Sequence, residues 1–260
     1  MIHKLPWWVG LGGAVLAFIA GIVNAVGFES FTHQAVTHLT GTTSQLGLAI
    51  GHGELALAPH LLLLIGSFFA GAVVSGVVVH AATLKLGRRY GAVLTLESLL
   101  LLLAIALLRQ RMVAGEYVAS AACGLQNAMA SMYSGAILRT THVSGIITDL
   151  GVLFGHKLRG DAVDGRRVRL LGLVLLGFVV GSIAGALLFG WFDYGALYVP
   201  AALTGSAGLL YTGLRHRALV RERAALAAGR ALRGGDAAAG GAGAADGGAT
   251  AREPPQGESS

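Results

Sequence analysis

One stretch of the sequence reads Leu170-Leu-Gly-Leu-Val-Leu-Leu-Gly-Phe-Val-Val-Gly-Ser-Ile-Ala-Gly-Ala-Leu-Leu-Phe-Gly190 and carries no charged residue from end to end. About 20 such residues in a helix span about 30 Å, the thickness of the hydrocarbon core of a bilayer. Comparable runs recur along the chain, so the sequence predicts an all-α integral membrane protein that lives in a lipid bilayer. Six transmembrane helices are expected: Val9–Phe28, Leu61–Ala82, Ala92–Leu108, Tyr117–Ala136, Leu170–Gly190 and Gly195–Leu214.

The composition of the whole chain agrees with a membrane protein. Of its 260 residues 54% are hydrophobic and only 12% are charged, whereas a soluble domain carries about 25% charged residues. The formal net charge is +6, but the arginines lie between apolar blocks, so no nucleic-acid partner is expected. Cys123 is the single cysteine, which excludes an intrachain disulfide and a cysteine metal cluster. No cofactor and no metal is expected.

The chain changes character after Leu214. Arg215–Arg233 holds six arginines against one glutamate, which predicts a basic cytoplasmic helix lying on anionic lipid headgroups. Residues 234–260 are rich in Gly and Ala and are predicted to be disordered. The integral domain is therefore assigned to residues 1–214. Because positively charged loops stay in the cytoplasm, both termini are expected on the cytoplasmic side.

Two short patterns predict how the helices sit. Aromatic side chains favour the headgroup level of a membrane, and small residues four apart allow helices to approach closely in lipid. The expected interface anchors are Trp7, Trp8, Trp191, Phe192 and Tyr194. The expected contact points are Gly71 with Ser75 and Gly181 with Gly185.

The chain repeats itself. Thr37–His52 and Thr141–His156 align without a gap at an offset of 104 residues, with seven of sixteen positions identical. Upstream, Gly21–Ala25 matches Gly124–Ala128 at an offset of 103, so one residue has been gained or lost in between. We therefore divide the membrane domain into two homologous halves, residues 7–110 and 112–214.

Three helices per half is an odd number, so equivalent loops should lie on opposite sides of the membrane. His52–His60 has a net charge of −1, but its counterpart Lys157–Arg169 has +3, from five basic and two acidic residues. The next loops reverse the other way, with +3 at Lys85–Arg89 and −1 at Trp191–Tyr194. This paired reversal predicts two inverted three-helix repeats rather than parallel ones.

Each half carries the motif T-H-x-[ST]-G inside a segment too polar for a lipid-facing helix and too apolar for a loop. Both segments are predicted to be broken or re-entrant helices, with Thr40 and Ser144 as N-caps. A helix that begins inside the membrane presents a partial positive charge there. In transporters built from inverted repeats, two such ends form the site for substrate and coupling ion.

The repeated polar residues are the candidates for binding a solute or coupling protons. They are Asn24, Thr37, His38, Thr40 and Gly41 in the first half and Asn127, Thr141, His142, Ser144 and Gly145 in the second. An imidazole titrates near neutral pH, which suits a proton carrier. The alternative is that the histidines pack between helices and that the asparagines only bridge helices by hydrogen bonds.

Three charged residues extend the candidate set. Glu97 and Asp149 are costly at membrane depth and are therefore functional candidates. Glu97 is alternatively solvated near an interface. Arg139 precedes the second motif and is expected to pair with Asp149 or Glu97 or to bind an anionic ligand, unless it reaches the headgroups instead.

Enzymatic activity is not expected. The sequence lacks an HExxH zinc motif, a GxSxG nucleophile motif, a P-loop and a dinucleotide fingerprint. Adjacent Thr and His side chains of a helix also point in different directions, which does not suit a catalytic triad.

The second half reads Gly124-Leu-Gln-Asn-Ala128, then Arg139-Thr-Thr-His-Val-Ser-Gly145 and Thr148-Asp-Leu-Gly151. With these motifs the chain resembles the YoaK-like family of bacterial multi-pass membrane proteins, a domain-of-unknown-function family (1275). The first half agrees through Asn24-Ala25 and Thr37-His-Leu-Thr-Gly41, although Thr42 stands where the family often has Asn. The resemblance covers about Pro6 to Leu214. It implies a multi-pass protein of the bacterial cytoplasmic (inner) membrane.

These observations favour a secondary transporter or permease for a small solute, proton-coupled through His38, His142 and Glu97. The alternative is a non-transporting scaffold or stress-responsive interaction protein, in which the repeated motif only packs helices. A homo-oligomer is compatible with either hypothesis.

Overall fold

A computed structural model describes residues 7–79, 88–134, 139–213 and 216, and within these ranges it contains helices and no strand. The predicted all-α fold is confirmed. A short 3-10 helix, Asp193–Leu197, joins the last two α-helices. The α-helices are α1 (Trp7–Glu29), α2 (Leu39–Gly51), α3 (Ala58–Val78), α4 (Arg88–Arg109), α5 (Ala114–Ser134), α6 (Val143–Leu158), α7 (Gly165–Phe192) and α8 (residues 198–213).

Four helical stretches of the described chain are long and apolar enough to cross a bilayer. They are Gly10–Glu29, Ala58–Val78, Arg89–Arg109 and Gly165–Gly213. The last has 49 residues and contains α7, the 3-10 helix and α8. Within the described residues, five of the six predicted spans lie in these apolar stretches. Tyr117–Ala136 does not, because its helix α5 carries Glu116, Gln126 and Asn127.

The most extensive helix contact joins α1 to α7, and the two helices run parallel. Gly177 lies on the backbone of Ala14, and four residues further along both helices Gly181 lies on the backbone of Phe18. A Cβ atom at Gly181 would overlap the Phe18 carbonyl oxygen, so only glycine allows this approach. The predicted role of Gly181 as a contact point is confirmed, and Gly185 likewise lies against the backbone of Ile22.

Helices α3 and α5 form the second extensive contact and also run parallel. Ser120 Oγ donates to the Leu64 carbonyl oxygen at 2.9 Å, and further along Gly124 lies on the backbone of Phe68. Gly71 lies against the Ala121 carbonyl group, and Ser75 is fully buried. Both small residues predicted for this helix therefore occupy a tight interface.

Helices α4 and α8 run antiparallel. Gly205 packs against Ser98, Gly208 packs against Thr95, and Ser98 Oγ donates to the Ala201 carbonyl oxygen at 2.7 Å. The main hydrophobic core lies between α1, α3, α4, α5 and the 3-10 helix. Its largest fully buried members include Ile22, Leu64, Leu101, Ile105, Leu197 and Tyr194.

The two short helices are peripheral. Helix α2 packs on α3, and α6 packs on α7. The start of α7 is fixed by Asp164, whose carboxylate accepts a hydrogen bond from the Arg166 backbone N–H at 3.0 Å and so satisfies an orphan donor of the first turn.

One predicted interface anchor is wrong. Tyr194 is only 2% exposed and meets Phe189 edge to face, because the 3-10 helix turns its ring into the core. Trp191 and Phe192 are exposed, as an interface position requires. The side chains of Trp7 and Trp8, the whole Lys85–Leu86–Gly87 segment, the basic helix Arg215–Arg233 apart from His216 and the tail 234–260 lie outside the described residues, so those expectations and the domain boundaries stay predictions.

The glycine contact between α1 and α7 leads to a stability prediction. Gly181→Ala should lower the free energy of unfolding by about 1–3 kcal/mol, because the added methyl group forces two helix backbones apart. Gly172→Ala on the same helix is the matched control, since nothing lies within 4 Å of a Cβ atom there. Thermal unfolding in detergent measures both. Equal melting temperatures for the two variants would contradict the packing described.

Candidate functional site

The first-half motif is tied to the end of α1 by a buried pair of hydrogen bonds. Asn24 Oδ1 accepts from Thr37 Oγ1 at 2.6 Å and from the Thr37 backbone N–H at 3.3 Å. Both residues are less than 10% exposed. Because an unpaired buried amide is costly, this pair fixes where the chain leaves the α1–α2 connection and begins α2.

The two motif histidines occupy equivalent positions. His38 and His142 are the residues immediately before α2 and α6, with φ and ψ of −92° and 63° and of −91° and 61°. Each imidazole folds over the glycine three residues later, so that a Cβ atom at Gly41 would stand 2.8 Å from His38 Nδ1. At Gly145 a Cβ atom would overlap the His142 ring. The motif needs glycine because the histidine ring covers the first turn of the helix.

His38 and His142 both lie exposed at the surface of the protein, and neither makes a side-chain capping hydrogen bond. The predicted N-caps Thr40 and Ser144 are wrong, because the helices begin one residue before them, at Leu39 and Val143. A residue inside the first turn no longer has the extended backbone that lets its hydroxyl reach back to the orphan N–H groups.

Thr40 and Ser144 instead face outward, and each backbone carbonyl accepts a hydroxyl one turn on. Ser44 Oγ donates to the Thr40 carbonyl at 3.0 Å, and Thr148 Oγ1 donates to the Ser144 carbonyl at 2.9 Å. The two motifs therefore agree in local structure as well as in sequence.

In the second half the partner of Asn127 is Thr140, although the alignment of the motifs makes Thr141 the counterpart of Thr37. Thr140 Oγ1 lies 3.5 Å from Asn127 Oδ1 and 3.3 Å from Gln126 Oε1, and Thr140 is 1% exposed. Thr141 is only half-buried. The interval of 13 residues from Asn24 to Thr37 is the same as that from Asn127 to Thr140, so Thr141 is the extra residue between the repeats.

Glu97 is buried in α4 and is 2% exposed. Its Oε1 accepts from Gln126 Nε2 at 2.9 Å, and its Oε2 is buried without a hydrogen-bond partner. Gln126 in turn joins Thr140, so Glu97 ends a chain of polar contacts that reaches the segment just before the second motif. The structure does not place Glu97 at a solvated interface.

The predicted pairing of Arg139 is wrong. Asp149 pairs with Arg167 of α7, whose Nη2 lies 2.9 Å from Asp149 Oδ2, and Glu97 bonds to Gln126. Arg139 is exposed and forms no ion pair with any described residue. The bond from Asp149 ties α6 to the first turn of α7.

The structure does not bring the two motifs together. Helices α2 and α6, both described in full, make no contact with each other and pack on different long helices. The site residues therefore form two separate groups, one around Asn24 and His38 and one around Asn127 and His142. Of the charged candidates, only Glu97 joins a group by side-chain hydrogen bonds, through Gln126 and Thr140.

A buried polar group that the sequence analysis missed lies where α3 and α5 begin. Glu116 is 1% exposed and accepts hydrogen bonds from Ser30 and Thr32 of the α1–α2 connection. His60 and Tyr117 complete the group. Glu116 lies just outside the predicted span Tyr117–Ala136, because the apolar run begins after it. A sequence signal was available, because Glu116 has the helical spacing of the buried polar residues Ser120 and Gln126 further along α5.

A cavity of about 730 Å³ lies between α6 and the start of α7 and contains none of the predicted site residues. Apolar side chains and charged side chains both line it, and they include Leu150, Leu153, Phe154, Lys157, Asp161 and Arg169. The polar groups around Glu97 and Glu116 lie elsewhere, in the packed interior of the helix bundle.

Several apolar helices around a packed core, with ionisable side chains buried among them, define a multi-pass helical membrane protein. The chain belongs to the family described as "Protein of unknown function (DUF1275)", which matches residues 12–210. It is 27% identical over 201 residues to the UPF0700 transmembrane protein YoaK of Bacillus subtilis (strain 168), an alignment that covers 73% of this chain and 88% of that protein. No solved structure matches the chain. The resemblance inferred from the motifs is thereby confirmed.

The assignment of Thr140 leads to a prediction. Thr140→Val should lower the free energy of unfolding by about 1 kcal/mol or more, because it leaves a buried amide oxygen of Gln126 without its donor. Thr141→Val should stay within about 0.5 kcal/mol, as expected for a half-exposed side chain without such a bond. Chemical denaturation in detergent compares them. A larger loss in Thr141→Val would restore the alignment inferred from the sequence.

Proposed function

We propose that the protein is a secondary transporter or permease for a small solute in the bacterial cytoplasmic membrane, coupled to protons through Glu97. The observation that carries the proposal is the burial of this carboxyl group within an apolar helix, with one oxygen unpartnered. Intramembrane acidic residues are expensive and mark ion or proton pathways. The proposal assigns no catalytic step to the chain.

The surroundings of Glu97 support a role in carrying a proton. Gln126 is its hydrogen-bond partner, and no cationic side chain among the described residues pairs with it. An unpaired carboxylate in a low-dielectric interior costs several kcal/mol. A carboxyl group placed in this way can gain or lose a proton only when water or another group reaches it. Coupling of proton movement to solute transport requires that such access be controlled.

The two short helices support a role in binding solute. Helix α2 begins after His38, and α6 begins after His142, in each case with free backbone N–H groups in the first turn. Hydroxyl groups lie beside these ends at Thr40 and Ser144. The positive end of a helix dipole together with hydroxyl and imidazole groups suits a solute with a negative or hydrogen-bonding head. Arg139 adds a cation near the second end.

The packing directions support six spans arranged as inverted repeats. If α1, α3 and α4 of the first half correspond to α5, α7 and α8 of the second, then the parallel pair α1 and α7 corresponds to the parallel pair α5 and α3. The repeat exchanges α4 with α8, so their antiparallel pair is mapped onto the same pair. A two-fold axis in the membrane plane would relate the two halves in this way, and many transporters are built from repeats related by such an axis. This arrangement includes α5 as a span, with its polar side turned inward.

The inverted arrangement makes a labelling prediction. Ala56→Cys and Ala162→Cys place a thiol in exposed connections that follow α2 and α6. A membrane-impermeant maleimide should label Ala56→Cys from outside intact cells and Ala162→Cys only after lysis. The natural Cys123 is buried, so the parent protein is the unlabelled control. Labelling of both positions from the same side would contradict inverted repeats, and labelling of Ala162→Cys in intact cells would contradict a cytoplasmic location for Lys157–Arg169.

Transport itself is tested with the purified full chain in liposomes that contain a pH-sensitive dye. Small organic acids, amines and metal ions are the probes. We expect one class to drive proton flux, and Glu97→Gln should reduce it to the level of protein-free liposomes, since an amide cannot carry the proton. Glu54→Gln is the matched control, because Glu54 is exposed.

The double variant His38→Ala and His142→Ala tests the short helices in the same assay. Loss of flux with intact folding supports solute binding at these ends. Flux in Glu97→Gln equal to that of the parent protein would refute coupling through Glu97. If no probe moves protons and uncoupled uptake is also absent, the scaffold hypothesis replaces the transporter.

A further inference from the structure

His60 and Glu116 form an ionisable pair where the α1–α2 connection meets the first turns of α3 and α5. Ser30 Oγ donates to Glu116 Oε1, and Thr32 Oγ1 lies 2.7 Å from each carboxylate oxygen. His60 Nε2 lies 3.7 Å from Glu116 Oε2. Three segments of the chain thus converge on one carboxyl group that solvent does not reach.

The two nitrogens of His60 have different surroundings. Nδ1 lies 3.0 Å from the Tyr117 hydroxyl oxygen, whereas Nε2 is buried, faces Glu116 and makes no hydrogen bond. The side chain of His60 is 16% exposed, but that of Glu116 is only 1% exposed. The imidazole therefore stands between the surface of the chain and the buried carboxyl group.

Apart from Tyr117, no ionisable side chain of the described residues bonds to His60 or Glu116. The connection contributes only the hydroxyls of Ser30 and Thr32, and the neighbouring His33 is exposed and contacts the Phe28 carbonyl group instead. Helix α3 contributes His60, and α5 contributes Glu116 and Tyr117. The titratable side chains in contact here are therefore His60, Glu116 and Tyr117.

Helix α5 connects the pair to Glu97. Glu116, Ser120, Cys123 and Gln126 are spaced by three or four residues, so they lie along one face of the helix. All four are buried. Ten residues of helix separate Glu116 from Gln126, which is about 15 Å, and Gln126 bonds to Glu97. A single buried face of α5 thus carries Ser120, which bonds to the Val36 and Leu64 carbonyl oxygens, and Cys123 between the two carboxyl-bearing ends.

We propose that His60 and Glu116 form a second proton-binding site that exchanges protons between water at this end of the bundle and the buried face leading to Glu97. A proton enters at Nδ1 of His60, the Nε2–H bond breaks, and an O–H bond forms at Glu116 Oε2, so the imidazole ends neutral. An imidazole can do this because each nitrogen either donates or accepts. The link to Glu97 rests on the transport function proposed above, whereas proton binding by the pair does not.

Infrared difference spectra of the full chain in detergent test proton binding without any transport. A change of pH should alter the carbonyl stretch of protonated carboxyl groups, with one contribution lost in Glu97→Gln and a separate one lost in Glu116→Gln. His60→Gln should shift the pH midpoint of the Glu116 contribution and leave that of Glu97 in place. His33→Gln is the matched histidine control and should change neither.

Two infrared results would overturn the proposed site. The first is a Glu116→Gln spectrum identical to that of the parent protein across the pH range. The second is a Glu116 contribution whose midpoint is the same in His60→Gln as in His33→Gln. Circular dichroism and elution volume identify any variant that has lost its fold, and Glu116→Asp then replaces Glu116→Gln with a shifted rather than a lost contribution.

The liposome assay tests the link to Glu97. His60→Gln should slow solute-driven proton flux by roughly 100-fold, the lower end of what a proton-transfer group contributes. Flux unchanged in His60→Gln but abolished in Glu97→Gln would refute the link and leave the transporter intact. If the parent protein shows no flux, the transport proposal fails together with the link, and the infrared result still decides whether the pair binds protons.

Discussion

The structure depends on the contact of helix backbones at glycine. Where Gly181 lies on Phe18 and Gly124 lies on Phe68, two helices approach so closely that no side chain fits between them. Lipid offers no hydrophobic driving force for helix association, so close van der Waals contact over a long interface has to supply it. These two parallel contacts hold α1 to α7 and α3 to α5, and each joins one half of the chain to the other.

Because the long helices are fixed in this way, polar groups can be buried between them. Glu97, Gln126 and Thr140 form one connected group, and Glu116 with its hydroxyl partners forms another at the far end of α5. A buried polar group is stable only if its partners are held in place. The rigid interfaces thus provide what a carboxyl group inside a membrane protein requires, while α2 and α6 remain at the periphery with their histidines exposed.

Much of this architecture could be predicted from the sequence, because apolar runs and small residues four apart report directly on helices and their close contacts. The repeat also predicted that His38 and His142 occupy equivalent positions, although the helices begin one residue before the predicted caps. The partner of Asn127 could not be predicted, because the sequence alone does not decide whether Thr140 or Thr141 is the inserted residue. The polar spacing along α5 points back to Glu116, but its partners could not be predicted, because they lie on α3 and on the α1–α2 connection, which are distant in sequence.

The polar face of α5 also bears on how the protein is assembled. A helix gains only a few tenths of a kcal/mol from each leucine-like residue on entering lipid, and a single central charge offsets several of these. With Glu116, Gln126 and Asn127 in its length, α5 gains little from entering the bilayer alone. If α5 spans the bilayer as proposed, we expect it to enter together with α3 or α4, which cover its polar side. On that arrangement, the helices would insert in groups rather than one at a time.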